Sequence, residues 1–277
     1  KATGGSRRAA YAVQGVLGAA TAGLLYLLVL AAFDARSAAV AGALAALYPV
    51  FIHYDQRLLS ENLMTLLTLA SVPPLWSYAK DGRLAPLAAS ALVAGVATLT
   101  RPGTMLLPFA VAPLAALRRP FDWRAPLLYA AVFAAVLLPW QLRNKTMFGH
   151  WTLCSRGPGF GLFVTGLQIQ GVPYEEGYRR FAALTREPRY LEPTEPVRGS
   201  HPYMELESYL QQTGKAAIKE RPLAYLALVA GRLPRFWLTS HSSVFGVDRP
   251  LSEYRAEGRW GPVALRLGLL LFHAAAW

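Results

Sequence analysis

Six apolar runs crowd into the first 140 residues of this chain: Ala9–Ala32, Ala38–Ile52, Asn62–Ala79, Leu84–Leu99, Gly103–Leu117 and Ala125–Trp140. An apolar stretch of about 17–25 residues spans a bilayer as a helix, and several of these runs reach or approach that length. A soluble domain has no core large enough to bury all of them. The composition agrees, at 54% hydrophobic and 16% charged residues, against a soluble norm of about 25% charged. The sequence therefore predicts an all-α polytopic membrane protein with about six spans in residues 1–140.

The polar breaks between runs fall into two alternating sets. One comprises Asp34–Ser37, Lys80–Arg83 and Leu117–Arg124, and carries Arg36, Lys80, Arg83, Arg118, Arg119 and Arg124. The other comprises Phe51–Glu61 and Thr100–Pro102, with Arg57 and Arg101. Cytoplasmic loops accumulate Lys and Arg, which favours the first set as cytoplasmic. The same topology, however, places Lys1, Arg7, Arg8, Arg143 and Lys145 on the other side, so charge counting alone does not orient the chain. A functional need for bases on the outer face accounts for the imbalance. The net charge of +12 is scattered between spans rather than gathered on a soluble domain. Anionic lipid phosphate is its natural partner, and nucleic acid is not. The single cysteine, Cys154, excludes an internal disulfide framework and a cysteine-based metal site.

After Trp140 the character changes. Residues 141–262 mix Gly, Pro, Tyr, Trp and charges, and predict an extracytoplasmic loop region; Val263–Trp277 starts a further span. Within the loop region, Arg156–Gly166 reads as turn-rich. Tyr203–Trp237 reads as helical, with Glu205 and Glu207 early and bases later, in the sense the helix dipole prefers. Its second half, Pro222–Trp237, is amphipathic enough to lie on a membrane surface or to form a short span. The start at Lys1 and the end inside an apolar run predict that the sequence is a piece of a longer chain.

Chemistry concentrates at a few span ends. An ionisable group at such a place is costly, and is a functional candidate by default. His53, Tyr54, Asp55, Arg57 and Glu61 gather in one break, and Glu61 is followed at once by the next apolar run. Glu61 and Asp55 are candidate ligands of a divalent metal ion, whereas His53, Tyr54 and Arg57 are candidate contacts for phosphate or sugar. A polar connection between spans needs none of these roles. Arg101 sits between two spans with almost no loop, as a partner for a phosphate or for Glu61, or as a base snorkelling to the interface. Arg143 follows Trp140 in the manner of an interfacial belt, and Asn144-Lys145-Thr146 is formally a glycosylation sequon close to the membrane. Gly157–Gly166 lacks the strand and helix context of a nucleotide-binding loop. There is no Walker motif, nucleophile elbow or HExxH, and His150, His201, His241 and His273 show no metal-ligand spacing.

Three segments taken in order carry a resemblance: Ala41–Glu61, with its Tyr-Pro and Leu-Leu-Ser-Glu; Ala97–Pro108, with Ala-Thr-Leu-Thr-Arg-Pro-Gly; and Leu138–Gly149, with Pro-Trp-Gln-Leu-Arg-Asn-Lys-Thr-Met-Phe-Gly. They resemble the bacterial branch of the GT-C membrane glycosyltransferases, the family 39-like group similar to protein O-mannosyltransferases and aminoarabinose transferases. The resemblance implies a GT-C-type transmembrane helix bundle and a polyprenyl-phosphate-linked sugar donor. It also implies an active site on the extracytoplasmic face of the membrane, the inner membrane in a bacterium. By it, Ala9–Ala32 corresponds to the second core span and Ala125–Trp140 to the seventh. His53–Glu61 becomes the second outer loop, where Glu61 matches a carboxylate that helps bind metal or donor, and Arg101 and Arg143 match basic positions near the outer face. The family's principal catalytic carboxylate lies in the first outer loop, which on this alignment precedes Lys1, so no residue here is assigned as general base.

The residues fit such a transfer. A departing lipid phosphate gains charge in the transition state, and preorganised cations or a metal aimed at it give the largest expected catalytic effect. Arg57, Arg101 and Arg143 could supply that charge, with Glu61 organising a metal or an arginine. The rival reading is a transporter or flippase, which predicts inverted repeats and charges near mid-span. Here the charges lie at span ends, and no repeat is evident. A structural membrane subunit needs no such clustering.

Overall fold

The computed structural model describes residues 6–111, 122–153, 157–190, 202–238 and 242–276. Arg118, Arg119, Cys154, His201 and His241 lie outside the described residues. The described residues are helical and contain no strand. They divide into two units, Lys1–Leu137 with Thr239–Trp277, and Leu138–Leu238.

The first unit begins with α1 (Arg7–Ala32), whose 26 residues rise about 39 Å and exceed the roughly 30 Å hydrocarbon core. Asp34 caps α2 (Ala35–Leu47): its carboxylate accepts the Arg36 and Ser37 backbone N–H groups at 2.8 and 3.0 Å. The Ser37 contact above all holds that carboxyl below the usual aspartate range. Pro49 then bends the chain. Tyr48 is extended, as the residue before a proline is driven to be, and Pro49 opens α3 (Pro49–Asp55) at an angle of 52° to α2. The break expected over Phe51–Glu61 is thus helical as far as Asp55, and His53, Tyr54 and Asp55 sit on a bent helix rather than in a loop.

The run Asn62–Ala79 is also not one helix. It divides at Ser71 into α4 (Glu61–Ala70) and α5 (Val72–Asp81), because Pro73 and Pro74 lack the N–H groups that would continue the ladder. Ser90, on α6 (Leu84–Thr100), donates its hydroxyl to the Ser71 carbonyl at 2.8 Å, fully buried. Removing that donor strands a carbonyl where no water competes, so Ser90→Ala is expected to destabilise the protein by about 1–2 kcal/mol. Thermal unfolding in detergent measures this, and an unchanged midpoint would refute it. Gly82, with φ at 71°, closes α5 by donating to the Tyr78 carbonyl.

Helix α7 (Arg124–Phe148) matches α1 in length and apolarity; with the bent α2–α3 pair, three segments among the described residues can cross a membrane. The other apolar helices among the described residues are shorter, at 10–17 residues. Small residues set the spacing, since a Cβ on Gly95 of α6 would come within 2.8 Å of Val136 on α7. Toward the C-terminus, α12 (Leu251–Ala256) precedes α13 (Trp260–Ala276). Arg266 lies inside this apolar helix, and its guanidinium donates to Ser242 Oγ and the Val247 carbonyl at 2.9 and 2.6 Å. Arg249 grips Glu257 with two bonds of 2.7 and 2.9 Å, holding the Glu257 carboxyl below its usual range.

In the second unit the stretch expected to be turn-rich forms α8 (Gly159–Ile169), packed on α10 (Pro202–Glu220). Glycines disfavour a helix in isolation, but here they permit backbone-to-backbone contact. A Cβ on Gly166 would lie 3.1 Å from Gly214 Cα, and one on Gly214 would lie 2.4 Å from the Leu162 carbonyl. Helix α9 (Tyr174–Leu184) adds Phe181, edge-on to Phe160 at 4.7 Å, over a core of Phe163, Val164, Leu206 and Leu210. The helix expected across Tyr203–Trp237 stops at Arg221 and restarts as α11 (Pro222–Leu238), again at a proline.

Candidate functional site

Helices α1, α3, α4 and α6 converge at one end of the first unit. Glu61 is the first residue of α4, where a helix N-terminus favours negative charge. Arg101 ends α6: its backbone is extended ahead of Pro102, which stops the helix. Arg101 donates from Nη1 to Glu61 Oε1, joining the two elements. Sequence spacing had offered Glu61 as one partner for Arg101, and the fold brings them together across 40 positions.

Stability alone does not account for this pair. Its side chains are 50% and 30% exposed, and an ion pair so placed contributes about 0–1 kcal/mol. Meanwhile Glu61 Oε2 is buried with no hydrogen-bond partner among the described residues, a cost of about 1–3 kcal/mol or more for a charged group. The cost outweighs the gain.

Two more orphaned atoms lie on neighbouring elements of this unit. Gln14, on α1, donates Nε2 to the Leu59 carbonyl at 2.8 Å, while its Oε1 is buried and unpartnered among the described residues. His53 Nε2 is in the same condition, with the imidazole edge-on to Phe245 and Tyr54 at 5.1 and 5.9 Å. Gln14 was missed in the sequence, although an amide inside an apolar run is itself a signal of function. Three buried polar atoms without partners are an arrangement a polar ligand can satisfy.

Asp55 faces elsewhere. Its Oδ1 accepts from Asn62 Nδ2 at 2.7 Å, and its carboxylate occupies the place a side chain on Gly18 would take, since a Cβ there would fall 2.0 Å from Asp55 Oδ2. Asp55, Asn62 and Thr65 share a cavity of about 260 Å³ with the small-residue faces of α1 and α2. Arg57 is exposed in the turn between α3 and α4 and forms no ion pair among the described residues.

A divalent metal was expected at Glu61 and Asp55. Among the described residues no group of three His, Cys, Asp or Glu side chains is assembled. Glu61 is engaged by Arg101 and Asp55 by Asn62. No step is assigned to a metal ion. Arg143 belongs to the second unit, where it stacks on Trp140 at 4.8 Å and donates to Asn144 Oδ1 at 3.0 Å. Asn144, 3% exposed and bonded to the Thr152 carbonyl, is no acceptor for a glycan. A helix does follow Gly157, but no strand precedes it among the described residues, so no nucleotide loop is formed.

Helices that cross a membrane, with charge gathered at one end of a bundle, define an integral membrane protein with a polar site at its surface. The family model of the dolichyl-phosphate-mannose-protein mannosyltransferases matches residues 1–142, and the chain belongs to that family. It is a family of membrane glycosyltransferases of GT-C type. No curated protein and no solved structure matches the chain.

Proposed function

We propose that this chain is part of a glycosyltransferase that moves a sugar from a polyprenyl-phosphate donor to a lipid, glycan or protein acceptor at the extracytoplasmic face of a cell-envelope membrane. The Glu61–Arg101 end then receives the donor phosphate. The observation that carries the reading is the Glu61–Arg101 pair itself: a half-exposed guanidinium held by a carboxylate whose second oxygen is buried without a partner among the described residues. Arg101 presents a fixed planar fork, the geometry that pairs with phosphate. As the sugar departs, charge grows on the phosphate, and a cation already in place lowers the barrier without reorganising. Glu61 holds Arg101 in position, His53 offers a polar atom to the sugar or the phosphate, and Gln14 Oε1 offers an acceptor to a sugar hydroxyl. No described residue is assigned as the base that deprotonates the acceptor.

Binding of a polyprenyl monophosphate tests the reading. Arg101→Gln is expected to weaken that affinity about 10- to 100-fold, the worth of one or two charge-assisted bonds. Titration of the detergent-solubilised protein reads it. Equal affinity for wild type and variant, with both correctly inserted, contradicts the assignment.

A further inference from the structure

The second unit contains a pocket that lies wholly outside the range of the family match. Its volume is about 270 Å³, and Trp151, Glu207, Ser208, Gln211, Gln212 and Lys215 line it. At its floor Glu207 is 6% exposed. Glu207 Oε1 accepts from the Gly159 backbone N–H, at the start of α8, at 2.7 Å and from Gln211 Nε2 at 3.0 Å. Lys215 donates to the other end of the same amide at 3.2 Å, which fixes how Gln211 points. The fit is close, because a Cβ on Gly157 or Gly159 would come within 2.4 and 2.7 Å of the carboxylate.

Burying a carboxylate is expensive unless it is bonded throughout. Glu207 forms no ion pair among the described residues. A carboxylate offers about four acceptor positions, and the two described bonds leave capacity over. For packing alone, a neutral side chain of the same size would cost less.

The lining selects the ligand. One carboxylate, Glu207, and one ammonium, Lys215, leave the lining no net charge to draw in a phosphate, and an apolar molecule leaves the amides and the hydroxyl unpaired. The volume lies just below the range of about 300–1,000 Å³ for drug-sized ligands, which suits a ring and not an extended peptide. Trp151, 59% exposed at the rim, offers an apolar face to such a ring. A pyranose has both properties, an apolar face and a rim of hydroxyls. We propose that this pocket is a carbohydrate subsite, in which one sugar residue of the acceptor stacks on Trp151 and donates hydroxyls to Glu207, with Gln211 and Gln212 completing its contacts. This rests on the glycosyltransferase reading above and narrows its acceptor to a glycan or glycolipid.

The test is saturation-transfer NMR on the whole protein in detergent, with the methyl glycosides of mannose, glucose and N-acetylglucosamine as probes and a serine-containing tripeptide beside them. At least one glycoside is expected to receive saturation, and its affinity is expected to fall about tenfold or more in both Trp151→Ala and Glu207→Gln. Trp151→Ala keeps the experiment decisive should Glu207→Gln disturb α8, since Trp151 is exposed. The proposal is overturned if no glycoside binds, if binding survives Trp151→Ala, or if the tripeptide displaces the sugar. Binding of polyprenyl monophosphate and its loss in Arg101→Gln involve no residue of this pocket. Failure of the glycosides with phosphate binding intact therefore removes only the acceptor assignment.

Discussion

Glu61→Gln is expected to lower kcat for sugar transfer by about 10²- to 10³-fold while changing the donor KM by far less. The substitution preserves shape and removes charge. Arg101 keeps its own positive charge but loses the carboxylate that aims it, so the donor still binds, and the guanidinium no longer meets the phosphate where charge develops. A ground-state contact would raise KM instead. Because the pair contributes about 0–1 kcal/mol to stability, the variant is expected to fold and insert normally. The double variant Glu61→Gln, Arg101→Gln should be little worse than the poorer single one, since both act on one interaction. Glu61→Asp, which restores the charge at shorter reach, should recover part of the loss. Steady-state kinetics on the enzyme in membranes provides each number. An unchanged kcat in Glu61→Gln would falsify the site.

The largest structural effect is expected at Gly214. A Cβ there would lie 2.4 Å from the carbonyl carbon and oxygen of Leu162, and backbone cannot step aside as a flexible side chain can. Gly214→Leu would gain about 1 kcal/mol in intrinsic helix propensity. Against it stands overpacking, about 3 kcal/mol or more when two helix backbones must separate. The clash wins. The substitution should open the core of Phe163, Val164, Leu206 and Leu210, seen as faster proteolysis between α8 and α10 and a lower unfolding midpoint. Gly231 meets nothing within 4 Å and supplies the control, because Gly231→Ala should leave the proteolysis unchanged and should not lower the midpoint.

Helical class and membrane residence were legible from the apolar runs, since bilayer thickness limits the alternatives. The breaks inside those runs were harder to read. Pro49, Pro73 and Pro74 were visible, but whether a proline kinks a span or ends it depends on what receives the freed backbone groups. At Ser71 that is Ser90, 19 positions away, and local pattern does not reveal it. The pairing of Glu61 with Arg101 was available as a candidate because both are charges at span ends. The Gln14–Leu59 bond and the nesting of Asp55 against Gly18 required the tertiary fold. Gly157–Gly166 misled for a related reason: its glycines mark where α10 approaches, whereas in an isolated sequence they signal turns.

Arg266 carries a consequence for biogenesis. An arginine inside an apolar helix of 17 residues is costly to remove from water unless it is hydrogen-bonded. Its two acceptors, Ser242 and the Val247 carbonyl, precede it in the chain and leave the ribosome first. The turn at Ser242–Phe245 is thus synthesised before the arginine that it receives. An acceptor pair made first leaves the guanidinium no interval in which the helix is complete and its charge unmet.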